Sequence, residues 1–372
     1  MKKISLLAAL AVLVFGACSK YDVKQKDTRA IGFGTYVPTS TKAAAGSVLS
    51  GTNFAANAQI NVYAWNTGAS VYAQSTTAPN FMNNDGQSVA GHGSVVTLSA
   101  SPASTPSSNY TPVKFWPSDE VNNKLSFIGF YPAGANPGYA LTWTTSGDVV
   151  NGSITVPAAS ASQIDFMVSD VENDKVYSGT TNGNVALKFH HLMSQILVKV
   201  QTDAATDVFL NAGGTPHTLK VSALSFTAIK NKGKLTTTYN TGASTHTMAV
   251  DGATTETYVF SPASPLDLKG TSTAAKYLPG GGGSAAIGDA YLLVPQALAA
   301  GAQKVSVTYT ITYPDGTPAQ TMTVTKDLYD GSVKSWGKNQ KITYTFVIGL
   351  KPITFTSTLT DWDNVNVDPF SF

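Results

Sequence analysis

Disulfides are excluded by composition: of the 372 residues only Cys18 is a cysteine, so no intramolecular pair can form and stability must come from burial. Arginine is as scarce. Arg29 is the only one, which nearly excludes bidentate guanidinium recognition of phosphate or carboxylate downstream. Charged residues make up 12% of the chain and the formal net charge is +2, leaving no field to steer nucleic acid or strongly acidic ligands. Long apolar runs are missing apart from Ile4 to Phe15, and no later window sustains a helical stripe. No Gly-x-Ser-x-Gly elbow occurs. The glycines Gly280–Gly283, with Ser284 and Gly288 beyond, lack the Gly-Lys-Ser/Thr ending of a phosphate cradle and read as a flexible loop. No catalytic constellation emerges, and neither an enzyme activity nor a cofactor is expected.

What is present begins with an export signal. Lys2 and Lys3 form a short basic region, Ile4 to Phe15 is too short to span a bilayer, and Gly16-Ala17-Cys18-Ser19 supplies small residues at a cleavage site. A cysteine at that point resembles the bacterial lipoprotein box, in which the thiol is acylated with a chain such as palmitate and becomes the new N-terminus. Phe15 is a looser fit than the usual aliphatic residue. The alternative is an ordinary secretory signal with an incidental cysteine. Ser19 to Thr28 is polar, lysine-bearing and without periodicity, as suits a tether.

Beyond the tether, Thr, Ser, Tyr and Val recur in short runs separated by turn residues, a composition suited to half-buried strands. Ala30–Val37 is the first strand candidate, with Ile31 and Phe33 on one face. In Leu125–Tyr131, Phe127 and Tyr131 oppose Ile128 and Phe130, so both faces are apolar, as in a strand covered on two sides. Ser70–Ser94 and Ala100–Pro112 read as surface loops. Val305–Tyr313 alternates strictly, and Pro314-Asp315-Gly316 turns it back into Gln320–Leu328. Ile342, Tyr344, Phe346 and Ile348 form another one-faced strand. The polar stretch Thr202–Gly214 is the expected domain boundary. The predicted architecture is all-β with two sandwich-like domains: signal 1–17, tether 18–29, N-terminal domain 30–202 and C-terminal domain 203–372.

Potential ligands are few. His190 and His191 are adjacent, so in a strand they point to opposite faces and cannot jointly clasp one metal; structural roles are expected. Asp170, Glu172 and Asp174, with Asp165 nearby, lack the glycine and terminal glutamate of a calcium loop and read as a solvated acidic turn. No metal site is expected. Trp65, Trp116, Trp143, Trp336 and Trp362 are too scattered for a carbohydrate platform and suit core packing.

Several segments, taken in order, resemble the fimbrillin family, the Mfa-like precursors of type V pili. They are the box around Cys18, Ala30-Ile31-Gly32-Phe33 followed by Thr41-Lys42-Ala43, and Lys114-Phe115-Trp116-Pro117-Ser118 leading into Leu125–Pro132. The set continues with Gln163–Val168, Leu187–Ser194, Leu292–Gln296 and the closing Asp361-Trp362. The resemblance implies two tandem transthyretin-like β-sandwich domains and a lipoprotein precursor at the outer membrane, anchored at Cys18. It implies that an early strand, carrying Ile31 and Phe33, plugs the first domain. A trypsin-like protease then cuts after a basic residue, and a strand from another subunit takes the vacated groove. The matching cut is Lys42–Ala43, with Arg29–Ala30 the less favoured position. Expected partners are other fimbrial subunits, the outer membrane through the lipid, and a host or bacterial surface receptor. The competing reading is a monomeric surface lipoprotein that binds glycans.

Overall fold

In the computed structural model, the described residues are 29–36, 54, 57–72, 79–82, 93–98, 110–133, 139–142, 148–163, 165–181, 183–212, 217–240, 242–279, 290–329, 331, 333–349 and 354–361. Cys18, Lys42, Ala43, Trp143, Trp362 and the stretch Gly280–Gly288 lie outside them.

The chain is all-β, as predicted. Its first half holds β1 (Gly32–Tyr36), β2 (Gln59–Gly68), β3 (Ser94–Thr97), β4 (Lys124–Tyr131), β5 (Tyr139–Thr142) and β6 (Asp148–Thr155). There follow β7 (Met167–Ser169), β8 (Glu172–Lys175), β9 (Asn184–His191), β10 (Ser194–Gln201) and the helix α1 (Ala204–Asn211). The second half continues with β11 (Thr218–Lys230), β12 (Lys232–Asn240), β13 (Ala243–Val250), β14 (Thr255–Phe260), β15 (Leu266–Asp267) and β16 (Lys276–Leu278). It ends with β17 (Tyr291–Leu293), β18 (Gln296–Ala297), β19 (Lys304–Thr312), β20 (Gln320–Asp327), β21 (Ser335–Trp336), β22 (Gln340–Val347) and β23 (Thr354–Asp361).

A seven-stranded sheet runs β1-β9-β7-β4-β2-β3, with β8 on β4. Its central strands are buried on both faces, as the sequence of β4 predicts. Ile60, Val62, Phe127, Leu187 and Phe189 face one core, joined there by Ile31 and Phe33. Tyr63, Trp65, Ile128, Phe130 and Val168 face the other way, into a second apolar cluster that continues through Ile196, Phe226 and Tyr344. Gly129 leaves room for the Phe189 ring over the backbone of β4, since a Cβ there would stand 2.7 Å from that ring.

In the second half, a sheet ordered β16-β10-β22-β23 (β17 also on β10) faces one ordered β14-β11-β19-β20 (β15 also on β11). Phe226 of β11 bridges them, with its ring 5.5 Å from that of Tyr344 on β22. Trp336 donates from Nε1 to the Tyr344 hydroxyl at 2.9 Å. A third sheet runs β13-β12-β6-β5. The β19–β20 hairpin forms as expected: Gly316 sits at φ +85° and Asp315 Oδ1 accepts from Thr317 N at 2.9 Å. Ile342, Tyr344, Phe346 and Ile348 are all buried.

Strand pairing departs from a boundary at residue 202. β10 pairs with β16, β17 and β22, all of the second half, while β5 and β6 join the sheet of β12 and β13. The Thr202–Gly214 stretch expected to link domains instead carries α1. Asp203 caps it, accepting from Thr206 N at 2.6 Å. Two turns of helix burying only Thr206, Asp207 and Leu210 are too short to leave a periodic stripe. The stretches expected as surface loops also contribute to the core: Tyr72, Met82 and Tyr110 are buried.

Candidate functional site

The first site of interest is the seat of β1. Every other pairing in the seven-stranded sheet is antiparallel, but β1 lies parallel to β9, with Phe33 beside Val185 and Thr35 beside Leu187. A parallel neighbour cannot be joined by a tight hairpin, so β1 reaches this place from far away in sequence. Backbone bonds also hold its start on the other side: Ile31 N donates to Lys114 O at 2.9 Å and Trp116 N donates to Arg29 O at 3.0 Å.

Side chains close the seat. Ile31 is 1% exposed and Phe33 4%. The Phe33 ring stands 5.8 Å from Phe127 and 5.9 Å from Tyr110. The Tyr110 hydroxyl donates to Ile31 O at 3.0 Å, and Trp116 Nε1 donates to Gly183 O at 2.8 Å. Gly183 has φ +75°, and a Cβ on it would press on Trp116 Nε1 and the Ala30 carbonyl. Arg29 pairs with Glu120 and lies over the Tyr177 ring, 4.5 Å from its centroid. Burying Ile31 and Phe33 contributes roughly 1.5–3 kcal/mol each.

A second cluster joins the halves. Asp170, in the turn after β7, meets His190 of β9 and His246 of β13. Its Oδ1 is 3.0 Å from His190 Nε2 and 3.3 Å from His246 Nε2, and Lys188 Nζ is 3.7 Å from its Oδ2. Burial opposes ionisation of Asp170, but the two histidines outweigh it and hold the carboxyl well below the usual range. Burial pushes His246 down, against the pull of Asp170.

The adjacent histidines do diverge as expected. His191 is buried and its Nδ1 lies 2.8 Å from Asp165 Oδ2, away from His190. Asp165 is therefore no part of a solvated acidic turn: it is fully buried. Glu172 pairs with Lys175 at 2.7 Å, and Asp174 accepts from Tyr72 N at 2.7 Å. What the sequence hides is the third member, His246, which arrives from a strand of the second half. The three described tryptophans, Trp65, Trp116 and Trp336, are all buried. Among the described residues no helix is long and apolar enough to cross a membrane.

The fimbrillin-like family pattern matches residues 41–362. A curated relative, fimbrium subunit Fim1C of Phocaeicola vulgatus, is 27% identical over 214 residues, covering 54% of this chain and 52% of that protein. The match thus spans about half the relative's length. Among solved structures, a protein assigned to cell adhesion from Bacteroides uniformis aligns at TM-score 0.44 and 13% identity, over 90% of this chain and 98% of that one. The fimbrial anchor protein Mfa2 from Porphyromonas gingivalis aligns at TM-score 0.29 and 11% identity, over 90% and 98%. With a family pattern running through nearly all of its folded length, this chain belongs to the fimbrillin-like family.

Proposed function

We propose that this chain is a subunit of a cell-surface fimbria, exported as a lipoprotein through Cys18 to the outer membrane and assembled by exchange of β1 for a strand of another subunit. The observation that carries this reading is β1 itself: a parallel strand, remote in sequence from its partner β9, filling the first core with Ile31 and Phe33. Its departure would leave an apolar groove and an unpaired edge on β9, a ready acceptor for a foreign strand. Each large apolar side chain that a donor buries there contributes roughly 1.5–3 kcal/mol, so a donor that fills more of the groove than the two side chains of β1 displaces the cut strand. Donation from one copy to the next is heterologous and does not close, so it extends into a filament. The donor is drawn from the C-terminal region Lys351 to Phe372, of which β23 already occupies the outer edge of its own sheet.

The release point is the bond between Lys42 and Ala43, on the body side of β1. Cutting there removes lipid and strand together. Arg29 is the poorer substrate: its carbonyl and guanidinium are both engaged within the fold. N-terminal sequencing of protein sheared from the cell surface tests the scheme. A start at Ala43 supports it, and retention of lipidated Cys18 in polymerised protein overturns it.

A further inference from the structure

We propose that Asp170, His190 and His246 form a binding site for a transition-metal dication, with zinc as the best match to the donor set. The three side chains come from separate elements, the turn after β7, β9 and β13, and their ligand atoms all lie within 4.8 Å of one another. Around a tetrahedral zinc with bonds of about 2.0–2.2 Å, neighbouring ligand atoms stand about 3.3 Å apart. The two distances from Asp170 Oδ1, 3.0 and 3.3 Å, already match that spacing. The third, between the two imidazole nitrogens, lies within 4.8 Å. Asp170 and His190 are both about a quarter exposed, so the cluster lies near the surface.

Two details favour a ligand over a simple ion-paired cluster. His190 Nε2 is screened from solvent yet makes no aligned hydrogen bond, even though Oδ1 is so near. His246 Nδ1 lies 3.1 Å from Thr237 Oγ1, the hydroxyl directly opposite it in the β12–β13 register. A hydroxyl that accepts the Nδ1 proton leaves Nε2 as a lone pair aimed at the cluster, the outer contact that metal-binding histidines use. Two cations stand against tight binding: Lys188 beside Asp170 Oδ2, and Lys338, which donates to the His246 carbonyl. Their positive charge opposes a bound dication. A bound ion would tie β9, in the sheet that seats β1, to β13 of the second half.

The test uses the full exported chain without a histidine tag, stripped with chelator and titrated with Zn²⁺, and separately with Co²⁺ to read its coordination. The expected result is one zinc per chain, tetrahedral cobalt absorption and a raised melting temperature. His190→Gln and Asp170→Asn, both at partly exposed positions, should each weaken binding by more than about tenfold, since even outer-contact losses cost that much. Circular dichroism verifies that the variants fold. His217→Gln, outside the cluster, should leave binding unchanged. Absence of stoichiometric zinc at micromolar concentrations overturns the site, as does binding that survives both replacements in folded protein.

Discussion

Gly183 and Asp207 show how single residues hold this fold. At φ +75°, with Trp116 Nε1 and the Ala30 carbonyl in the place of a Cβ, Gly183 accepts no side chain without movement. Gly183→Ala should therefore loosen the start of β1. We expect a loss of about 1–3 kcal/mol by urea unfolding, with faster amide exchange at Ile31 and Gly32. Exchange unchanged at those amides would refute the link. Asp207 acts at a distance from β1, fastening α1 to the turn after β15. Oδ1 accepts from Gly270 N and Thr202 Oγ1, and Oδ2 from Ser272 N. Burial opposes its charge, yet the bonds from Ser272, Thr202 and Gly270 outweigh that and hold its carboxyl below the usual range. A depressed folded value means the stabilisation is complete above the ordinary carboxylate range and is lost as pH falls through the folded value. Asp207→Asn turns an NH₂ group against a backbone donor and should cost about 1–3 kcal/mol at neutral pH. At a pH below the carboxylate range the variant and the parent should converge. A gap that persists there would refute the charge-based account.

At the scale of elements, β1 is the informative case. Replacing Ile31 and Phe33 together by Asp removes roughly 3–6 kcal/mol of burial and puts charge in a dry seat. The double variant should unfold at much lower urea or polymerise early, and an unchanged midpoint in a monomeric protein would rule out a core role for the strand. Strands of this kind were legible in the sequence because alternation or a two-faced apolar run survives any context: β1, β4, β19 and β22 all lie where their patterns point. The hairpin after β19 was legible from Pro314-Asp315-Gly316. Pairing was not. Nothing local in Ser194–Gln201 says that β10 lies beside β22 rather than with its sequence neighbour β9. Nor does any local pattern place His246 against Asp170, because their contact depends on how distant sheets pack. The helix α1 was hidden for a different reason: two turns in a polar stretch give no stripe, and only the capping Asp203 hints at it.

For the whole molecule, the two basic positions flanking β1 have opposite consequences. Cleavage after Arg29 would free the body from lipid but keep β1 covalently attached, so the groove would stay filled and the product would be a soluble monomer. Cleavage after Lys42 would leave β1 as a separate peptide. Its Ile31 and Phe33 contribute roughly 3–6 kcal/mol of burial against an association cost of about 4–15 kcal/mol, so the cut peptide gives way to a donor that buries more, and the groove changes occupant. Geometry supports the same choice, since Arg29 is held by Glu120, Tyr177 and the Trp116 amide. Lys42→Ala should therefore abolish fibres and leave lipid-bound precursor in the membrane. Arg29→Ala should assemble normally, because a partly exposed ion pair adds little to stability. Electron microscopy of cells carrying each variant, with N-terminal sequencing of any fibres, separates the cases. Fibres that form in the Lys42→Ala strain, or whose subunits begin at Ala30, would overturn this route.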